Sequence, residues 1–338
     1  MARYLITGGT GFLGHHVVAQ LREQGHEVVA LCRTAAPDLE KLGATVVRGD
    51  VLNAASVEAA AAGCDGLFHC AGLVSRAEED SATMMQVHVE GTRTTLDAAK
   101  KAGIKRAVVA STSGTVAVSD IDETMNEEHP TPHGLIARWP YYRSKLFAEG
   151  EALRRNTPDF AVICVNPSLL LGPGDTRNSS TEDVRLFLEK KVSAVPAGGM
   201  SFVDARDAAK AMVAAMEKGR PGQRYLLAGC NCSVRDFFGK LERLSGVKAP
   251  WLPMPKNAEV AKQAVRFLDR VVERFGGSQP VSEETVDVAQ HFWYVDWKKA
   301  ERELGFKPRD PMITLHDTIQ DLRDRGVVWP EPRKKSFA

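Results

Sequence analysis

The stretch that decides the fold runs from residue 3 to residue 14: Arg3-Tyr4-Leu5-Ile6-Thr7-Gly8-Gly9-Thr10-Gly11-Phe12-Leu13-Gly14. Residues 3–7 read as a short buried strand, and residues 12–24 read as a helix. The turn between them spaces Gly8, Gly11 and Gly14 as TGxxGxxG, and Gly9, Gly11 and Gly14 also satisfy GxGxxG. Glycine in such a turn permits a tight bend, lets backbone approach a pyrophosphate and lets helix pack on strand. The helix N-terminus then faces phosphate with unpaired N–H groups and its positive dipole end. A glycine turn alone can join strand to helix and bind nothing. Here it is held between a clean strand and a clean helix, which makes Gly8, Thr10, Gly11, Phe12, Leu13 and Gly14 the expected contacts of a dinucleotide.

Working outward, short apolar runs recur at 27–32, 44–47, 66–69, 106–110 and 160–165, mostly rich in Val, Ile or Leu. Runs apolar on both faces suit the buried strands of a parallel sheet. Helical stretches at 54–62, 82–101 and 141–156 alternate with them, so the fold class is α/β with a doubly wound parallel sheet. After Val165 the pattern loosens, with Pro and Gly at 166–174, 196–199 and 250–255. We expect residues 1–172 to form the nucleotide-binding domain, with 200–228 returning to it. Residues 173–199 and 229–330 form a smaller mixed substrate domain, and 331–338 a tail. An amphipathic helix over 257–275, with both charge signs on its polar face, is expected to pack on its own domain.

The bulk numbers bound the class. The chain has 338 residues, 43% hydrophobic and 26% charged, with a net charge of +1. It can bury a large core, and its field predicts neither nucleic acid nor an anionic membrane as partner. Arg333-Lys334-Lys335 is expected to be a solvated tail. A strand beginning at residue 3 leaves no room for a signal peptide ahead of the fold, and no apolar run approaches a membrane span. Six scattered cysteines read as reduced core thiols, which fits a cytoplasmic protein.

The second strand ends Ala30-Leu31-Cys32-Arg33-Thr34. An NAD site usually carries Asp or Glu there for the adenosine ribose, whereas Arg33 can pair with a 2′-phosphate. NADP(H) is therefore favoured over NAD(H). Asp50-Val51 follow the third strand, where an acid can accept from the adenine amino group. Ala71-Gly72 follow the fourth, where small residues let the cofactor lie across the sheet edge.

Tyr141-Tyr142-Arg143-Ser144-Lys145 contains Tyr-x-x-x-Lys, which puts both side chains on one helix face. A free tyrosine has a pKa of about 10, and an ammonium one turn away stabilises phenolate and pulls that value down. Such a pair is common on exposed helices. Its weight here comes from Ser111-Thr112-Ser113, directly after the fifth strand, since ligands of a doubly wound sheet sit beyond the C-terminal strand ends. A serine there can hydrogen-bond a substrate oxygen beside the phenol.

The glycine turn, the Ser/Thr cluster and Tyr-x-x-x-Lys, in this order and at these distances, resemble the extended short-chain dehydrogenase/reductase superfamily. The similarity continues through Val89-Glu90-Gly91-Thr92, Pro167 to Gly172-Pro173, Phe202-Val203-Asp204 with Asp207, and Lys299-Ala300 with Leu304-Gly305-Phe306. The resemblance implies Tyr141 as general acid, Lys145 as its activator and ribose clamp, and Ser113, three residues before Val116, as the carbonyl-polarising hydroxyl. It further implies Thr112 as a substrate contact or a support behind it, and backbone at Pro167 and Ser168 meeting the nicotinamide carboxamide. It also suggests a homodimer paired through the helices at 82–101 and 141–156. One departure is His88, where the family often has an Asn that supports a proton relay. A buried structural histidine is the expected reading.

Three reaction types compete: carbonyl reduction or alcohol oxidation, sugar-nucleotide epimerisation or dehydration, and regulatory binding of NADP(H) without chemistry. The missing acid after strand two, and Ala197-Gly198-Gly199-Met200-Ser201 without a base before Phe202, point away from a nucleotide sugar. Ser-Thr-Ser-Gly-Thr-Val and Trp-Pro-Tyr-Tyr-x-x-Ser-Lys resemble the dihydroflavonol reductase branch, with Trp139 and Tyr142 as further substrate contacts. The expected partner is a small carbonyl or alcohol substrate. No metal is expected, since Cys230-x-Cys232 lacks a second ligand pair and His15-His16 diverge around a helix.

Overall fold

The computed structural model describes residues 1–75, 77–255 and 283–329; the helix expected over 257–275 and the basic tail lie outside them. The first half alternates as expected: β1 (Arg3–Thr7), α1 (Phe12–Glu23), β2 (Glu27–Cys32), α2 (Pro37–Lys41), β3 (Thr45–Arg48), α3 (Ala54–Ala61) and β4 (Gly66–His69). Then follow α4 (Ser81–Met85), α5 (Gly91–Lys101), β5 (Arg106–Ala110), β6 (Thr124–Met125), α6 (His133–Ile136), α7 (Pro140–Arg154) and β7 (Ala161–Pro167). Helix α7 starts one residue ahead of the expected 141 because Pro140, having no N–H, suits the first turn.

Seven parallel strands form the main sheet in the order β10-β7-β5-β4-β1-β2-β3, with β10 at Arg224–Leu227. The chain winds from β1 outward to β3, then crosses back to β4. The ends of β1 and β4 therefore flank the switch point at which such sheets bind ligands. Alternation sends neighbouring side chains to opposite faces. Ile6, Ala30, Val108 and Val165 pack under α1 and under α9 (Ala205–Lys218), whereas Leu5, Val29, Leu31 and Val109 pack toward α3 and α5.

After Pro167 the chain leaves this sheet. β8 (Leu169–Leu171) joins a three-stranded sheet of order β11-β9-β8, with β9 at Gly199–Asp204 and β11 at Cys230–Ser233. Of residues 200–228, β9 thus belongs to the small sheet, while α9 and β10 return to the large one. Phe187, on α8 (Glu182–Leu188), stacks on Phe238, on α10 (Val234–Ser245), at 5.4 Å. The C-terminal segment is tied down by Arg309, which donates to both Asp207 oxygens at 2.7–3.0 Å and pairs with Asp204 at 3.4 Å.

The helix expected over 82–101 is interrupted. Between α4 and α5, residues Gln86–Glu90 form a π-turn. The wider turn lets Gly91 pack against Val51 and turns His88 inward, where it is 1% exposed.

Candidate active site

The glycine turn closes the crevice between β1 and β4. Gly8 has φ +72°, and a Cβ there would lie 2.5 Å from the Cys70–Ala71 backbone. A Cβ on Gly14 would lie 2.2 Å from the Gly8 carbonyl oxygen, so any side chain would push α1 off the turn. The Gly11 amide donates to the Gly8 carbonyl at 2.9 Å, and neither a capping side chain nor an acidic residue occupies the first turn of α1. At the far end of the crevice Ser168 is buried, and its Oγ has no hydrogen-bond partner among the described residues. A close-approach turn at one end and an orphaned buried hydroxyl at the other fit an extended ligand with phosphates and a hydrogen-bonding head group, as a nicotinamide dinucleotide has.

Arg33 stands exposed after β2, and no ion pair engages it among the described residues. Asp50 is half-buried, with Oδ1 accepting from the Leu52 amide at 2.9 Å. Gly72 lies against His88, whose Nε2 would be 3.1 Å from a Cβ there.

Ser113 opens a 3₁₀ turn, Ser113–Thr115, capped by Thr112, whose Oγ1 accepts from the Gly114 amide. Tyr142 packs its ring on Gly114, where a Cβ would come within 2.4 Å of it, so the start of α7 abuts the Ser113 turn. Neither the Ser113 nor the Tyr141 hydroxyl is engaged by another described residue. Lys145 Nζ donates to the Ala110 carbonyl at 2.7 Å, at the end of β5. Burial pushes the Tyr141 phenol above its usual value and the Lys145 ammonium below its own. This corrects the expectation that Lys145 would pull the phenol down: with the ammonium turned to Ala110, burial is the larger effect.

Under the centre lies a polar floor that the sequence reading missed. Glu149, one turn beyond Lys145, is 2% exposed. Its Oε2 accepts from Ser111 Oγ, from Thr115 Oγ1 at 2.9 Å and from Asn166 Nδ2 at 2.6 Å, and its Oε1 pairs with Arg224 at 3.1 Å. One carboxylate thus ties the ends of β5 and β7 to the start of β10, one turn from Lys145. Beside it, His69 bridges Thr7 Oγ1 at 2.7 Å and Thr92 Oγ1 at 3.1 Å.

His88 is buried, at 1% exposed. Its Nε2 accepts from the Leu73 amide at 2.9 Å, so Nδ1 carries the proton and donates to Ser144 Oγ at 2.8 Å. Ser144 in turn donates to the Tyr141 carbonyl at 2.8 Å. Burial, reinforced by Lys145, holds both His69 and His88 down to about 3. Both rings are neutral supports.

An aromatic wall flanks Tyr141. Tyr142 lies 5.1 Å from it edge-on and stacks on Trp293 at 4.7 Å. Trp139, expected to touch substrate, is only 1% exposed, and its Nε1 donates to Asp287 at 3.0 Å. It props Tyr142 and Trp293 from behind, because its indole N–H finds a buried carboxylate on the facing helix. Trp293, which the sequence reading missed, is half-buried beside Tyr142.

Four likenesses to known proteins accompany this geometry. Residues 4–228 match the profile of the NAD dependent epimerase/dehydratase family. The chain is 32% identical over 336 residues to a putative dihydroflavonol 4-reductase of Synechocystis sp., covering 96% of each. It is 34% identical over 337 residues to a 2-alkyl-3-oxoalkanoate reductase of Stenotrophomonas maltophilia, covering 95% of this chain and 98% of that one. Among solved structures, that of gox2253 superposes with a TM-score of 0.83 at 28% identity, covering 97% of this chain and 100% of the other.

Proposed function

Because the chain belongs to the NAD-dependent epimerase/dehydratase family, within the extended short-chain dehydrogenases/reductases, and is an NAD(P)-dependent oxidoreductase, we propose that it is an NADPH-dependent reductase of an apolar ketone or aldehyde. The observation that carries this reading is geometric: the Ser113 turn abuts the start of α7, where Tyr142 packs on Gly114, and neither the Ser113 nor the Tyr141 hydroxyl is engaged by another described residue, while desolvation pushes the Tyr141 phenol above its usual value. A protonated phenol donates, and reduction is the direction that needs a donor. Ser113 hydrogen-bonds the carbonyl oxygen and Tyr141 gives it a proton. The Lys145 ammonium, one turn on, stabilises the phenolate left behind and is the group to hold the ribose hydroxyls. The glycine turn and Ser168 would hold the reduced dinucleotide, which would supply the hydride. The Tyr142–Trp293 wall suits an apolar substrate face.

Preference for the 2′-phosphate rests on Arg33, exposed and without a carboxylate partner among the described residues, where Cys32 replaces the acid of an NAD site. The sugar-nucleotide alternative is disfavoured by the stretch ahead of Phe202. There Gly198 abuts the His291 carbonyl, which a Cβ would approach to 2.3 Å, and no base is present to grip a diphosphate. A homodimer through α4–α5 and α7 is in keeping with Phe147, 51% exposed on α7, and would use the same patch on both subunits. Light scattering that finds only monomer at micromolar concentration ends that part. A cytoplasmic setting accords with six free thiols and with no membrane-length apolar helix among the described residues.

The deciding experiment is a screen of ketones and aldehydes with NADPH oxidation as readout. Stoichiometric NADPH consumption is expected, with Tyr141→Phe slowing turnover on the order of 10²–10⁴-fold while NADPH still binds. Purified protein carrying tightly held NAD, and interconverting nucleotide sugars without net cofactor turnover, would replace this reading with the epimerase one.

A further inference from the structure

The substrate lobe sends one cation back to the glycine turn. Arg177, between β8 and α8, donates from Nη2 to Thr10 Oγ1 at 3.3 Å, across 167 residues of sequence. No carboxylate pairs with it among the described residues, whereas Arg185, Arg206 and Arg309 each engage one. Its loop is rigidly made. Asp175, 1% exposed, accepts from the Ser179, Ser180 and Thr181 amides and from the Ser179 and Thr181 hydroxyls, all within 2.8–3.1 Å. On the other side, His16 Nε2 donates to the Pro173 carbonyl at 2.9 Å, fastening the loop to α1 one turn beyond the glycines. An uncompensated guanidinium is thus held over a turn whose amides and helix dipole already favour negative charge.

We propose that Arg177 is a phosphate-binding residue that grips the pyrophosphate of the dinucleotide from the substrate lobe. This rests on the dinucleotide reading of the glycine turn. It assigns Arg33 and Arg177 to different phosphates: Arg33 to the 2′-phosphate of the adenosine, Arg177 to the bridge between the two nucleotides. Engagement of Arg177 would also join the lobes through the cofactor, since one phosphate group would then be held by β1, α1 and the loop ahead of α8.

The test is calorimetric titration of the full-length protein with NADPH, NADH, ADP-ribose and 2′-AMP. For Arg177→Gln, affinity for NADPH, NADH and ADP-ribose should each fall by about 10- to 100-fold, the range for a lost hydrogen bond to a charged group, with 2′-AMP unchanged. Arg33→Gln should give the complementary pattern, losing NADPH and 2′-AMP while sparing NADH and ADP-ribose. Asp175→Asn, which unpins the loop, should reproduce the Arg177 pattern more weakly, and Arg177→Lys should restore part of the loss. Unchanged ADP-ribose affinity in Arg177→Gln, or an equal loss for 2′-AMP, overturns the assignment. Wild-type protein that binds none of the four ligands refutes the dinucleotide reading itself, which separates the two failures.

Discussion

At the scale of single residues the site is governed by what burial does to charge. Burial lifts the Tyr141 phenol above its ordinary value of about 10, so it is protonated at neutral pH. The proposed reduction would use that protonated form. Its kcat/KM should therefore stay level from about pH 6 to about pH 9 and fall only as pH climbs through the raised value, while alcohol oxidation should rise with pH. A reduction profile that already declines below about pH 8 would show that the phenol titrates far lower than its surroundings dictate. Glu149 makes a second prediction. Glu149→Gln keeps the shape but removes the charge facing Arg224, and should cost about 1.5–3 kcal/mol in urea unfolding. It should also lower kcat more than it weakens NADPH binding, because the carboxylate pins Ser111 and Thr115 on either side of Ser113. Equal stability in the two proteins would sink that role. Ser113, Tyr141 and Lys145 stood out as candidates because hydroxyls after a strand and a Tyr-Lys pair on one helix face are local patterns, and the structure sets the Ser113 turn against the start of the helix that carries the pair. Glu149 lay within reach of the same reasoning, one turn past Lys145. Trp139 was misjudged because its partner, Asp287, stands 148 residues away, and such distances leave no mark on a sequence.

At the scale of elements, strands and helices followed from periodicity to within a residue or two, because each buried run needs apolar side chains on both faces. The π-turn at Gln86–Glu90 did not, since one extra residue in a helical turn barely disturbs the apolar pattern while it swings His88 inward. The Ser113–Thr115 turn is the element most sensitive to a small change. Gly114→Ala would put a methyl within 2.4 Å of the Tyr142 ring and force that ring off Trp293. We expect a loss of about 1–3 kcal/mol, the range for overpacking, together with a changed near-ultraviolet circular dichroism spectrum. An unaltered spectrum and thermal midpoint would mean that the turn yields without moving the aromatic wall. The loop that carries Arg177 was invisible in sequence for another reason: its meaning lies in contact with Thr10 and His16, both in the first turns of the chain.

At the scale of the molecule, two buried neutral histidines link stability to acid. His69 and His88 sit at about 3 in the folded chain against about 6.5 when unfolded. Below about pH 6.5 the unfolded state takes up protons that the folded state refuses. Stability should therefore be whole above that value and decline as pH falls toward about 3, by up to about 1.4 kcal/mol per pH unit for each ring. Urea midpoints measured at several values below pH 7 should shift accordingly, and the shift should shrink in His69→Asn with His88→Asn. An undiminished slope in the double variant would assign the acid sensitivity elsewhere. The strand order has a consequence of another kind, for the chain as it is being made. β7 is synthesised early, yet its outer neighbour, β10, follows only after residues 168–223 have been laid down as the small sheet and α9. Throughout that interval the growing polypeptide carries an open strand edge, a ready template for pairing with a stranger. A gene cut after codon 172 should yield aggregated product or one held by chaperones, and extension to codon 228 should recover much of the solubility.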